Sequence, residues 1–176
     1  TGSFLGIIGL GRIGKSIAKR AEAFGMEIAY TGRRKQTDQP YEFYAEVEDL
    51  AAASDVLLNC APGGNATFHL VNAKVLAALG EDGVFVNVGR GSTVDERALV
   101  KALDGGTIAA AGLDVFEDEP RVPERMRMLD NVVLLPHVGS ATVPTRNAMA
   151  QLVVDNLVNW FGCGAPLTPV PDEKSV

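Results

Sequence analysis

Arg90 and His137 are the residues whose settings are hardest to explain by packing alone. Arg90 stands between Gly89 and Gly91 directly after an apolar run. Glycines on both sides expose the guanidinium and let a ligand approach the backbone. His137, one of two histidines, follows the apolar run Val132-Val133-Leu134-Leu135 and Pro136. Between them an acidic cluster, Glu117-Asp118-Glu119, precedes Pro120. Beside a hydride-carrying cofactor, an arginine, a histidine and a carboxylate would suit the reduction of a 2-oxo acid. That reaction needs a cation for the substrate's carboxylate and carbonyl, and a proton donor for the oxygen as hydride reaches the carbon. A histidine held protonated by a neighbouring carboxylate supplies that proton near neutral pH. A salt-bridged surface arginine is the plainer alternative for Arg90.

A nucleotide site is written more locally. Gly9-Leu10-Gly11-Arg12-Ile13-Gly14 follows an apolar strand and opens an amphipathic helix, the context that a dinucleotide-binding turn requires. Gly9 permits the tight turn, Gly11 the approach of a pyrophosphate, and Gly14 the close packing of helix on strand. Arg12 and Ile13 open the helix whose unpaired N–H groups face the anion. At the end of the second strand, Thr31-Gly32-Arg33-Arg34-Lys35 carries no carboxylate for ribose hydroxyls. Three cations stand there instead, and guanidinium groups pair well with a 2′-phosphate. NADPH is therefore expected over NADH, with a solvated basic turn as the alternative.

These residues need a scaffold that brings strand ends together. Apolar runs predict strands over 4–8, 27–31, 55–60, 83–88, 107–113 and 131–135, several apolar on both faces. Helical patterns fall between them at 13–24, 47–53, 71–79 and 95–103. The alternation predicts an α/β fold, a doubly wound parallel sheet. Ligands then bind beyond the carboxyl ends of the strands. A last helix over 143–161 carries Met149, Leu152, Val153, Leu157 and Trp160 on one face, widened by Val154, Val158 and Phe161. Two readings stand: core packing, or contact with a further lobe or a partner subunit. Pro166, Pro169, Pro171 and residues 172–176 read as an irregular strap.

The 176 residues suffice for one well-buried domain. A net charge of −6 gives no general affinity for nucleic acid or anionic membrane. Cys60 and Cys163 are too few for a disulfide framework, which favours a cytoplasmic setting. Cys60 is expected to be a small buried residue and not a nucleophile, because nothing basic adjoins it. No run of about 18 apolar residues suggests a membrane span. The chain opens on Thr1 without an initiator methionine, and it reads as a piece lacking an N-terminal part.

Four segments, in order, carry a resemblance. They are 9–14 above, Asn87-Val88-Gly89-Arg90-Gly91-Ser92-Thr93-Val94-Asp95, Gly112-Leu113-Asp114-Val115-Phe116-Glu117-Asp118-Glu119-Pro120, and Pro136-His137-Val138-Gly139-Ser140-Ala141-Thr142. Together they resemble the D-isomer-specific 2-hydroxyacid dehydrogenases over essentially the whole chain. The resemblance implies a Rossmann-type cofactor domain at 1–142, a C-terminal helix and tail at 143–176 returning to a substrate lobe, and that lobe absent from the N-terminal side. It makes Arg90 the arginine that binds substrate and polarises its carbonyl, His137 the acid/base, and Glu119 the carboxylate that orients and charges it. Asp114 would face the nicotinamide carboxamide, with Val88, Gly89 and Gly139 around the nicotinamide and Cys60, Ala61 and Pro62 on the adenosine side. A turn or helix cap is the alternative for Asp114. Glu117 and Asp118 read as solvated loop acids and His69 as structural. The loop Pro62-Gly63-Gly64-Asn65-Ala66-Thr67 departs from the Pro-Leu-Thr pattern of many members and is similar to the glyoxylate, hydroxypyruvate and hydroxyphenylpyruvate reductase branch. The implied activity is NADPH-dependent reduction of a small 2-oxo acid by a homodimer. A non-catalytic, NAD(P)(H)-sensing protein of corepressor type is the alternative, since fold alone does not fix function.

Overall fold

The computed structural model describes residues 2–170. It divides into two compact units, Thr1–Pro136 and His137–Val176. The first unit holds strands β1 (Phe4–Ile8), β2 (Glu27–Thr31), β3 (Glu42–Tyr44), β4 (Val56–Asn59), β5 (Val84–Asn87), β6 (Ala110–Leu113) and β7 (Val132–Leu134). They form one sheet in the order β3-β2-β1-β4-β5-β6-β7, every pair parallel. Its helices are α1 (Arg12–Ala23), α2 (Val47–Ala52), α3 (Ala73–Leu79), α4 (Glu96–Asp104) and the short α5 (Glu124–Arg127). This is the doubly wound parallel sheet that the alternation of elements predicts, of the Rossmann type that the resemblance implies.

The central strands β1, β2 and β4 alternate between two apolar layers. Ile8, Leu57, Phe85, Ala111 and Leu113 join Leu50, Val75, Leu76, Leu99 and Met126 on one face. Leu5, Ile7, Tyr30 and Leu58 meet Ala18 and Ala21 of α1 on the other. Neighbours in sequence thus point to opposite layers, which is why the strands read as continuous apolar runs. Gly14, Ala18 and Ala21 are the buried face of α1 at helical spacing. A Cβ on Gly14 would lie 2.5 Å from the Gly9 carbonyl oxygen, so close packing demands glycine there.

Some boundaries differ from the expected ones. α3 begins at Ala73, not 71, because Asn72 caps it by accepting hydrogen bonds from Lys74 and Val75 N–H. β6 begins at Ala110, after the bend through Gly105 and Gly106. β3 and α5 were not expected from the pattern.

The second unit contains α6 (Val143–Cys163), capped by Thr142 at its start and by Gly164 at φ +76 at its end. Asn156 and Asn159 then bond Thr168 and the Ala165 carbonyl, which folds residues 165–168 back against the helix. No residue of α6 is buried; Trp160 is 52% exposed and Phe161 84%. Pro171 and residues 172–176, the rest of the expected strap, lie outside the described residues. No helix among the described residues is long and apolar enough to cross a membrane.

Candidate active site

Strand register aligns the carboxyl ends of the sheet. Ile8 pairs with Thr31 and Asn59, Asn59 with Asn87, Asn87 with Leu113, and Leu113 with Leu134. The residues that follow each end are therefore Gly9, Gly32, Cys60, Val88, Asp114 and Leu135, delivered to one edge. Chain order reverses between β1 and β4, and such a switch point opens a crevice for a ligand.

The Gly-rich turn fits a dinucleotide. Gly9 has φ +91, a region that L side chains rarely adopt, and a Cβ there would press on Ala61 N at 3.1 Å. Gly11 borders open space, with nothing within 4 Å of a Cβ built there. It is also the N-cap of α1 and offers no side-chain oxygen, and no acid stands in the first turn. The first N–H groups of the helix are thus left for an outside acceptor. Ile13, 60% exposed, presents an apolar side chain beside them.

Ile13, Cys60, Ala61, Pro62, Gly63, Gly64, Val88, Gly89, Arg90 and Ser92 line one open cleft of about 610 Å³. Arg90 is exposed at its rim, and its Nη1 donates to the Gly89 carbonyl at 2.7 Å. It forms no ion pair among the described residues. Cys60 lies in the same wall, and burial pushes its thiol up to about 11, which disfavours the reactive thiolate.

The other expected residues are distributed as follows. Thr31 is buried at the end of β2, and its carbonyl accepts the Gly9 N–H at 3.0 Å. Gly32, Arg33 and Arg34 beyond it are exposed. Asp114 is 8% exposed and donates its N–H to the Asn87 carbonyl at 3.0 Å. Glu119 closes a tight loop by accepting the Phe116 N–H on Oε1 at 3.0 Å. His137 and Gly139 belong to the second unit; His137 has φ +53 and, with His69, is one of two non-glycine residues with positive φ among the described residues. Such a conformation is strained for a histidine and is held by its surroundings.

The family model for the D-isomer specific 2-hydroxyacid dehydrogenase NAD binding domain matches residues 1–139. This chain belongs to that family. A glyoxylate/hydroxypyruvate reductase A of Arabidopsis thaliana is 55% identical over 97% of the chain and 54% of its own length. A hydroxyphenylpyruvate reductase of Plectranthus scutellarioides is 52% identical over the same share of the chain. Among solved structures, an NADPH-dependent glyoxylate/hydroxypyruvate reductase of Sinorhizobium meliloti, in complex with NADP and malonate, superposes with a TM-score of 0.94. It is 56% identical and covers 96% of this chain and 53% of its own. The chain thus spans about half the length of the relatives that it matches.

Beneath the cleft lies a polar network that no local pattern announces. Asn59, Asn87 and Thr93 are all 1% exposed or less. Asn59 Nδ2 donates to Asn87 Oδ1 at 2.9 Å and to Thr93 Oγ1 at 2.6 Å. Asn59 Oδ1 accepts the Ala61 N–H, and Asn87 Oδ1 accepts the Gly89 N–H. Asn87 Nδ2 and Thr93 Oγ1 both donate to the Arg90 carbonyl. The loops after β4 and β5 are thereby tied to each other through side-chain amides whose nitrogen and oxygen atoms each have a hydrogen-bond partner. Asn87→Ala strips the acceptor from two buried donors. It is expected to lower unfolding free energy by about 2–6 kcal/mol, at about 1–3 kcal/mol for each orphaned group. A urea titration reads this; a midpoint equal to wild type would refute the network's contribution.

Proposed function

We propose that the full-length protein reduces small 2-oxo acids, glyoxylate or hydroxypyruvate among them, to D-2-hydroxy acids with NADPH. The observation that carries this is the cleft in which the glycine-bounded, exposed Arg90 lies beside the start of α1, which has no side-chain cap and no acid in its first turn. The names of the relatives agree with it. A corepressor-like sensor is not favoured, because those relatives are reductases.

The glycine turn and the first amides of α1 hold the cofactor's pyrophosphate. Arg33 and Arg34 hold the 2′-phosphate, and Thr31 and Gly32 carry that turn. Cys60, Ala61 and Pro62 flank the adenosine side, while Val88, Gly89, Asp114 and Gly139 surround the nicotinamide. The bound nicotinamide supplies a hydride, with its electron pair, to the carbonyl carbon. Arg90 orients the substrate's carboxylate and draws charge onto the carbonyl oxygen. His137 delivers a proton to that oxygen and recovers one from solvent, and Glu119 supports the imidazolium. A substrate-binding lobe preceding residue 1, with residues 1–142 as the cofactor domain and 143–176 as the returning helix and tail, belongs to the same proposal. So do a homodimer, for which the exposed apolar face of α6 is available, and a cytoplasmic location.

The test is NADPH oxidation by the full-length protein with glyoxylate and with hydroxypyruvate. Turnover at saturating NADPH, above that with NADH, is expected. Tight NADPH binding with no turnover on either acid would replace this reading by the sensor.

A further inference from the structure

His69 and Glu117, to which the proposed reaction gives no part, are 48 residues apart in sequence and in contact. His69 Nε2 lies 3.0 Å from Glu117 Oε1, and each side chain is about one third exposed. Both ends of this contact are anchored. His69 has φ +50, its N–H donates to the Ser92 carbonyl at 3.0 Å, and its ring stacks on Phe68 at 3.9 Å. Glu117 donates its N–H to Glu96 Oε1 at 2.7 Å. Burial, with the charges of Glu117, Asp118 and Glu119 adding to it, pushes the Glu96 carboxyl up. A histidine kept in a left-handed conformation marks a backbone that its neighbours over-determine.

What lies between the two anchored loops is the Arg90 turn. A Cβ on Gly63 would sit 3.2 Å from Arg90 Cγ, so the 62–67 loop rests against the arginine stem. A Cβ on Gly91 would lie 1.8 Å from the carbonyl carbon of Phe116, so the 116–117 backbone presses on the other side. Thr67 Oγ1 closes the first loop onto the Pro62 carbonyl at 2.6 Å, and Glu119 closes the second onto the Phe116 N–H.

We propose that His69 and Glu117 are positioning residues for the reduction: their contact clamps the loops after β4 and β6 together and holds Arg90 at a fixed angle between them. The inference rests on the reductase reading. It also gives a reason for two glycines at 63 and 64 in place of bulkier residues: the loop must lie flat on the arginine stem while its far end reaches Glu117.

The experiment is steady-state kinetics on the full-length enzyme with NADPH and glyoxylate, alongside a fluorescence titration of NADPH affinity. The variants are His69→Ala, Glu117→Ala, the double alanine and Glu117→Gln, which keeps a carbonyl acceptor for the imidazole. Each single alanine is expected to lower kcat/KM for the oxo acid about tenfold, as misplacement of an orienting group does, with NADPH affinity within about twofold of wild type. The double variant should be no worse than the poorer single, and Glu117→Gln should restore most of the loss. Wild-type kinetics in the alanines, a matching fall in NADPH affinity, multiplied losses in the double variant or failure of Glu117→Gln to rescue would each overturn the proposal. A wild-type enzyme inert toward oxo acids would instead defeat the reductase reading, and the two failures are thereby told apart.

Discussion

His137→Ala in the full-length protein is expected to lower kcat for glyoxylate reduction by about 10²–10⁴-fold, the usual worth of a positioned general acid, with NADPH affinity unchanged. The carbonyl oxygen gains negative charge as hydride arrives, and without a proton donor that charge must be quenched by water. The backbone requires a second variant. Residue 137 sits at φ +53, which alanine tolerates poorly and asparagine tolerates well. His137→Asn keeps the conformation and removes the titratable ring, so both variants should fall alike. Stopped-flow measurement of NADPH oxidation checks the loss of the chemical step. An asparagine variant within tenfold of wild type would show that the residue shapes the chain and does not move the proton.

The Arg33→Ala/Arg34→Ala pair should weaken NADPH by about 10²-fold or more, since each charged hydrogen bond to a phosphate is worth about 1.5–3 kcal/mol. NADH should change by about twofold or less. The geometry of the turn supports so selective an effect. Its root is fixed: the Gly9 N–H donates to Thr31, Gln36 Nε2 donates to the Leu10 carbonyl at 2.8 Å, and the Tyr30 hydroxyl accepts the Gln36 N–H at 2.6 Å. Arg33 and Arg34 themselves form no ion pair among the described residues, while nearby Lys15 is engaged with Asp38 at 3.3 Å. Exposed positive charge thus stands next to the glycine turn. NADPH affinity should also fall with ionic strength more steeply than NADH affinity. Equal losses for the two dinucleotides in a calorimetric titration would refute the phosphate contact.

The sheet was legible in the sequence because its strands are covered on both faces, and Val56-Leu57-Leu58 or Phe4-Leu5-Gly6-Ile7-Ile8 can hardly be anything else. The nucleotide turn was legible because its glycines answer backbone demands at fixed offsets. β3 escaped notice for the opposite reason. Glu42, Phe43 and Tyr44 are too few to show a period, and they become a strand only through the backbone of β2. The Asn59–Asn87–Thr93 network and the His69–Glu117 contact share a different obscurity. Each joins residues dozens of positions apart whose types are individually ordinary, and only the register of β4, β5 and β6 brings them together. A rule survives from these cases: a buried asparagine at the last residue of two adjacent parallel strands is a signal for loops fastened below a ligand crevice.

The position of β1 has a consequence for how this polypeptide matures on the ribosome. Of the strands in this sheet it is synthesised first, yet it ends in the middle, and its neighbour on one side, β4, emerges only after β2, β3 and α2. Every pairing is non-local, a topology that condenses slowly. Nascent chains must therefore shield a half-covered apolar strand while both flanks are made, and no dinucleotide can assist them until the turn after β4 has docked. Chaperone demand should be concentrated in that interval of translation, before the coenzyme can act as a folding ligand.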